Sequence, residues 1–353
     1  MMVFVWLHKN LFSNWWNSLL TLLIVWILYQ LLPPMVDWLF LSASITSDSV
    51  RECYDAGYSG ACWGFIPLRW KLFLFYLYPI ESLWRPCLAF LLLFVALIPV
   101  FKMKFKTAAR RKKFLYFTAC YPFLAFWLIG GGFFLQPVDT SQIGGFMLNI
   151  VVGVLCIAIS FPLSILVALA RRSNLFFLAK LSVLFVEVVR GIPLLMLIFV
   201  AATMLNYFFP VGTSHSLLFR VVVVITMFST VYLSEVMRGG LNALPKGQFE
   251  AASAIGLNYW QTMWLVVLPQ MLKASIPSIM NIFIGISMDT TLVAVISMYD
   301  ALGAGKATMV SADWKAAGRE IMLFVSVLFF VFCFSMSRFS AHLEKKLKIS
   351  HTE

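Results

Sequence analysis

Eight stretches of this sequence are each apolar enough to cross a bilayer as a helix, and that repetition restricts the fold more than any other feature. A crossing takes about 20 apolar residues, and the stretches fall at roughly 16–43, 85–101, 114–135, 145–170, 183–207, 217–237, 274–298 and 319–337. None alternates in and out over about ten residues, as the strands of an outer-membrane barrel do. The expected fold is therefore an all-α, polytopic membrane protein with about eight transmembrane helices. Composition agrees: 61% of the 353 residues are apolar and 12% are charged, about half the charge fraction of a globular chain. Soluble, disordered, collagen-like and disulfide-rich secreted classes are excluded. The first apolar run is preceded only by Lys9 and shows no small-residue cleavage pattern, so it is expected to remain as an anchor helix.

The net charge of +12 would suggest nucleic acid in a soluble chain, but in a membrane chain it reports topology. With the N-terminus placed inside, 19 of the 27 basic residues fall on the cytoplasmic side. They include Lys9, the cluster from Lys102 to Lys113, Arg171, Arg172, Arg190, Arg238 and Lys345. The positive-inside bias then predicts an even number of spans and both termini in the cytoplasm. The cluster at 102–113 reads as a topology determinant, with no nucleic-acid partner implied.

The chain divides into unlike parts. Residues 1–143 form an accessory three-helix membrane module with an external loop, 44–84, rich in interfacial aromatics such as Trp63, Trp70 and Trp84. Cys53 and Cys62 share that loop across a Gly-containing turn and are a candidate disulfide in an oxidising compartment. The other four cysteines lie in or at the ends of spans, where a thiol acts as a small apolar group. Residues 144–340 carry five spans and one long cytoplasmic excursion, 238–273, and residues 341–353 form a cytoplasmic tail.

The excursion contains Glu250-Ala251-Ala252, then Gly256, then Val266-Val267-Leu268-Pro269. These residues predict a short small-residue helix with a carboxylate near its start, a reversal at Gly256, and an amphipathic helix over 257–268 stopped by Pro269. Absent side chains let backbones approach closely, so this helical hairpin is a docking element for another protein.

In the seventh span, Ser278, Asn281, Gly285 and Asp289 are spaced by three, four and four, which puts them on one helical face. Asp289 is the acidic residue expected well inside a span, and Thr290 and Thr291 follow it. A charge near mid-membrane costs about 2.5–3.5 kcal/mol on insertion scales, so Asp289 should face a bundle interior or a wet cavity. Two readings stay open: this face lines a substrate path, or Asp289 makes an interhelical hydrogen bond. Glu187 with Arg190, and Glu235 with Arg238, are i,i+3 pairs expected to pair locally. Gly191-Ile192-Pro193 should kink the fifth span, making Glu187, Arg190 and Pro193 candidate gating residues.

No catalytic set stands out. The stretch 302–308 imitates a phosphate loop but lacks glycine at Asp300 and a hydroxyl at Ala307. The four histidines are scattered without ligand spacing, so neither a metal nor another cofactor is expected in this chain.

The pattern Glu-Ala-Ala, three residues, Gly, nine residues, an aliphatic, one residue, Leu-Pro resembles the coupling loop of the permease subunits of type I ABC importers. Six positions match outright, at Glu250, Ala251, Ala252, Gly256, Leu268 and Pro269, and Val266 fills the aliphatic slot. Arg238-Gly239-Gly240, Gly247-Gln248 and the segment from Glu187 to Leu195 look like the polar amino-acid branch of that family. The likeness covers roughly 144–340. The three-span extension, with Ala61-Cys62-Trp63-Gly64-Phe65 and Tyr78-Pro79, is similar to the longer permease of general L-amino-acid importers of Gram-negative bacteria. The resemblance implies a five-helix type I core in the bacterial cell inner membrane and a second homologous permease beside it. It further implies two ATP-binding subunits docked on the coupling loops and a periplasmic solute-binding protein that delivers an L-amino acid. ATP would bind to the partner ATPase, and this chain would be a transport subunit and not an enzyme. The family commonly has lysine where Met288 stands, so a role that depends on that lysine does not carry over. An ion-coupled secondary carrier is the rival, but it should show paired broken helices in two inverted halves, and these are not visible.

Overall fold

The computed structural model describes residues 2–101, 108–210, 212–213 and 215–349. Lys102, Lys104 and Lys106 of the basic cluster lie outside the described residues. Among the described residues, α-helices run in the order α1 Met2–Leu11, α2 Trp15–Val36, α3 Val50–Asp55, α4 Phe65–Phe75, α5 Trp84–Phe101, α6 Ala108–Gly130, α7 Gly145–Arg171, α8 Phe176–Gly191, α9 Leu194–Thr203, α10 Leu217–Asn242, α11 Lys246–Ala254, α12 Tyr259–Gln261, α13 Leu268–Asp289, α14 Ala301–Met309 and α15 Gly318–Ile349. No strand forms among the described residues, only isolated bridges. Among the described residues, seven helical segments are long and apolar enough to cross a membrane, and an eighth results if the bent pair α8 and α9 counts as one.

The chain folds as two compact units, Met1–Trp70 with Ala307–Leu323, and Lys71–Lys306 with Phe324–Glu353. In the first, α2 buries none of its residues within the chain, as befits a helix that is apolar on every side. The loop after it is pinned by backbone bonds, Ser44 N–H to Ala61 O at 3.0 Å and Trp63 N–H to Ser44 O at 2.7 Å. Cys53 and Cys62 are joined as a disulfide with Cα atoms 6.3 Å apart. Gly60 is required here, because a Cβ would lie 2.5 Å from the Ser42 carbonyl carbon. Phe65 meets the buried Trp314 edge to face at 5.8 Å.

In the second unit, α7 and α10 pair along their length and α13 packs on α10. α7 and α10 bury aliphatic residues such as Leu148, Val152 and Val221, and also Ser160, Ser164, Ser229 and Ser234. Small residues suit a membrane bundle, where helices associate through close packing and not through exclusion of water. Hydroxyls that bond back to their own helix cost little there, as Ser164 does to Phe161 O at 2.6 Å and Ser234 to Val231 O at 2.7 Å. Gly240 brings α10 against α13, where a Cβ would strike the Ser275 hydroxyl.

The fifth apolar segment is broken. The axes of α8 and α9 differ by 96°, with Ile192 and Pro193 extended between them at φ/ψ of −106°/128° and −59°/138°. Arg220 holds α9 in place: its buried guanidinium donates to Ala201 O at 2.9 Å and Ala202 O at 2.6 Å, at the helix C-terminus where a cation is favoured.

The helix expected over 257–268 takes another form. Asn258 and Gln261 close a capping box that starts a rod at Tyr259, which passes through a π-helical turn at Thr262–Val267 into α13. The apolar span so built covers Tyr259–Ile296. Pro269 does not stop the helix. The π turn shifts the hydrogen-bond register and the proline sits in the first turn of α13, where its missing N–H is tolerated.

Candidate functional site

The hairpin expected to dock a partner consists of α11, the turn at Gly256 and the start of the rod. Two backbone bonds form a Schellman closure, Leu257 N–H to Ala252 O at 3.1 Å and Gly256 N–H to Ser253 O at 3.0 Å. This closure needs the left-handed φ of +78° at Gly256. Ala252 is buried against the rod, while Glu250, Ala251, Ser253 and Ala254 are exposed. Gly247, Ala251 and Ala254, spaced by four and three, make a small-residue face with open space above Gly247. Ile255, Trp260, Trp264 and Leu265 are large and more than 60% exposed beside it. Of the motif's last pair, Leu268 is buried and Pro269 exposed. The hairpin is tied to the bundle by Gln270 donating to Gln248 at 2.9 Å and by Arg172, whose guanidinium lies 5.0 Å from the Phe249 ring. An exposed helix of small residues on a secured base can accept a groove of another protein.

On α13, Ser278 and Asn281 are exposed and Gly285 and Asp289 half-buried, with no atom of this chain within 4 Å of a Cβ at Gly285. Thr291 donates to Met288 O at 2.8 Å. Thr290 departs from this face and is fully buried, donating to Ser287 O at 2.8 Å and accepting from Asn149 Nδ2 at 3.0 Å.

The local ion pair expected between Glu187 and Arg190 does not form, because each side chain finds a partner on another helix. Glu187 lies 3.9 Å from Arg171, and Arg190 lies 3.8 Å from Glu235. Glu235 is also bound by Arg171 and, as expected, by Arg238 at 2.6 Å.

Asn149, which the sequence does not single out, and Asp300, which enters it only as a missing phosphate-loop glycine, join α7 to the start of α14. Asn149 Nδ2 donates to Asp300 Oδ2 at 3.0 Å, and Asn149 Oδ1 accepts from Ala301 N–H at 3.2 Å. Gly303 N–H donates to Asp300 Oδ1 at 2.8 Å, and the carboxylate has no exposed surface. Asp300 lies between the span ending at Ile296 and the one starting at Gly318. Burial pushes its carboxyl above the usual carboxylate range, opposed by the Gly303 and Asn149 bonds and the Lys306 charge. The available signals were a lone amide in the apolar run 146–154, and an acid three residues before a glycine at a helix start.

A multi-span helical bundle with an exposed small-residue hairpin between two spans fits a membrane transport subunit. The model for binding-protein-dependent transport system inner membrane components matches residues 160–349, and the chain belongs to that family. It is 41% identical to the inner membrane amino-acid ABC transporter permease protein YhdY of Escherichia coli, over 99% of this chain and 94% of the relative. It is 38% identical to the glutamate/glutamine/aspartate/asparagine transport system permease protein BztC of Rhodobacter capsulatus, over 98% and 94% of the two chains. Its fold is similar to that in a crystal structure of an amino acid ABC transporter with histidines, with a TM-score of 0.51 and 23% identity over 57% of this chain and 92% of that one. The chain is thus an ABC transporter permease of the type I fold, a transport subunit and not an enzyme. The secondary-carrier reading is set aside. Among the described residues no group of three or more His, Cys, Asp or Glu is placed to hold a metal ion.

Proposed function

We propose that this chain is one of two permease subunits of an ATP-driven importer of amino acids. It forms the translocation path with the second permease, is driven by two cytoplasmic ATP-binding subunits, and receives substrate from a periplasmic solute-binding protein. Both full-length relatives are named as amino-acid transport permeases, which supports the substrate class. The observation that carries the coupling role is the exposed face of Gly247, Glu250, Ala251 and Ala254 on a hairpin closed at Gly256. In this reading residues 1–143 are an accessory module, 144–340 the permease core and 341–353 a tail. Both termini are cytoplasmic, in keeping with the distribution of basic residues, and the Cys53–Cys62 loop is periplasmic.

The face of Asn281, Gly285 and Asp289 borders the path, with Asp289 meeting the α-ammonium of the amino acid and Thr291 at its edge. Thr290 supports this segment from behind. Openness above Gly285 and half-burial of Asp289 favour this over an interhelical bond within the chain. Glu187, Arg190 and Pro193 flank the bend that gates the path.

The test is purification with natural partners, identification of the co-purifying ATPase, and competition across amino acids in vesicles. Substrate-stimulated ATP hydrolysis must fall on changing Glu250 or Gly256 while the complex stays assembled. Unchanged stimulation in both variants would remove the coupling role.

A further inference from the structure

Three arginines at or near helix ends in the second unit converge on one carboxylate. Arg171 is the last residue of α7, Arg190 is next to last in α8, and Arg238 lies in the last turns of α10. Glu235 Oε1 accepts from Arg171 and lies 3.8 Å from Arg190 Nη1, while Oε2 accepts from Arg238 Nη2 at 2.6 Å and Nε at 3.2 Å. Glu187, one turn before Arg190, lies 3.9 Å from Arg171 and completes the cluster. The Glu235 and Arg171 side chains are only 18% and 11% exposed, whereas Arg190 and Arg238 reach solvent at 42% and 45%. Charges this sheltered are weakly screened, and a network joining several helices does more than exposed pairs do.

The two outer members of the cluster each stand close to an irregular part of the unit. Arg190 is followed by Gly191-Ile192-Pro193, where the chain turns by 96° into α9. Arg238 is followed within one turn by the end of α10 at Asn242, and then by Pro245 and the docking helix α11. Arg172, beside Arg171, donates to Leu241 O at 3.5 Å and lies over Phe249 of α11. The end of α10, which leads into the hairpin, and the end of α8, which leads into the bend, thus each place an arginine against Glu235.

We propose that Glu235 is the positioning residue that links the docking hairpin to the bend in the fifth span, with Arg190 as its contact on the bend side and Arg238 on the hairpin side. Glu235 touches neither nucleotide nor substrate. It sets the position of the α8–α9 break according to the position of the hairpin, so that movement imposed at α11 changes the path. Two carboxylates among three guanidiniums leave the cluster one positive charge in excess. Arg190 can therefore let go of Glu235 without leaving a carboxylate unpaired, as a link that changes partners during transport requires.

This inference rests on the importer reading above, and the experiment keeps the two apart. The complete complex in nanodiscs and proteoliposomes is measured for uptake and for substrate-stimulated ATP hydrolysis in four forms: unaltered, Glu235→Gln, Arg190→Gln and Glu235→Asp. If the unaltered complex shows no ATP-dependent uptake, the importer reading fails. If it transports, Glu235→Gln and Arg190→Gln are expected to lower the amino acid moved per ATP by about tenfold, a usual size for coupling between sites. ATP hydrolysis should stay within about twofold, and Glu235→Asp should recover most of the ratio. Arg190→Gln removes a half-exposed side chain and leaves the buried Arg171 contact intact, so the complex assembles even if Glu235→Gln does not fold. An unchanged ratio in Arg190→Gln overturns the proposal. So does a parallel loss of uptake and hydrolysis that tracks complex abundance, which marks a purely structural role.

Discussion

Asn149 and Asp300, 151 positions apart in sequence, meet side chain to side chain at 3.0 Å in a site closed to solvent. The same asparagine accepts from Ala301 N–H and donates to Thr290, so one amide fixes the end of the seventh span and the start of α14. Asn149→Ala leaves a buried carboxylate short of a donor and a buried N–H without an acceptor. Each such loss costs about 1–3 kcal/mol, so the variant should unfold at lower temperature in detergent and lose protection from proteolysis near residue 300. Unchanged unfolding would show that the amide holds nothing.

The Asp300 carboxyl provides a pH signature. Burial raises its pKa from 3.8, so the folded state retains its proton to higher pH than the unfolded state does. By linkage this contribution to stability is fully present below pH 3.8, falls as pH rises toward the raised value, and is flat above it. Asp300→Asn should flatten that part of the curve. Unfolding midpoints measured from pH 4 to 7 for both forms check it, and equal slopes would contradict the assignment.

Docking through α11 predicts different outcomes for two faces of the same helix. Ala254→Trp adds bulk to the exposed side of a helix that packs on the rod through Ala252. It should leave expression and unfolding unchanged while abolishing co-purification of the ATPase. Ala252→Trp overfills a buried position, with a cost of about 1–3 kcal/mol, and should destabilise the hairpin itself. If both variants lost stability alike, α11 would be a packed structural helix and not a docking surface.

The apolar spans and the reversal at Gly256 were legible because both follow local rules. Spans need only length and apolar content, and the Glu250–Gly256 turn needs only a short helix and a residue that accepts φ of +78°. Partner choice among charges was not legible. An i,i+3 spacing permits Glu187 to reach Arg190, but three helix ends converge there and Arg190 goes to Glu235 instead. Pro269 misled for a similar reason: its effect as a helix breaker depends on the hydrogen-bond register, which the π turn at Thr262–Val267 changes. Asp300 was weighed only against a nucleotide-binding template, and its burial depends on Asn149 far away in sequence.

The loop that holds the Cys53–Cys62 bridge gives a further test. The cysteines are nine positions apart, and closing a loop of that size stabilises by about 2–3 kcal/mol in the chain-entropy account. Cys53→Ser, or reduction of the native protein, should expose the 44–62 segment to protease while leaving the second unit's unfolding in place. Equal protection before and after reduction would mean that the backbone bonds of Ser44 and Trp63 suffice.

Asp289 decides what the α13 face does. It is half-buried, lies one turn beyond Gly285, and shares an open face with Asn281. A carboxylate that meets an ammonium group contributes through its charge, so Asp289→Asn keeps the shape and removes the attraction. Charge-assisted hydrogen bonds are worth about 1.5–3 kcal/mol, which predicts a loss of about tenfold to a hundredfold in uptake efficiency at unaltered abundance. The loss should fall mainly on amino acids and spare basal ATP hydrolysis by the complex. Asp289→Glu should retain part of the activity, because the charge remains on a longer stem. Full transport by the asparagine variant, at wild-type abundance, would leave Asp289 as a structural residue of the bundle and move the substrate path to another face.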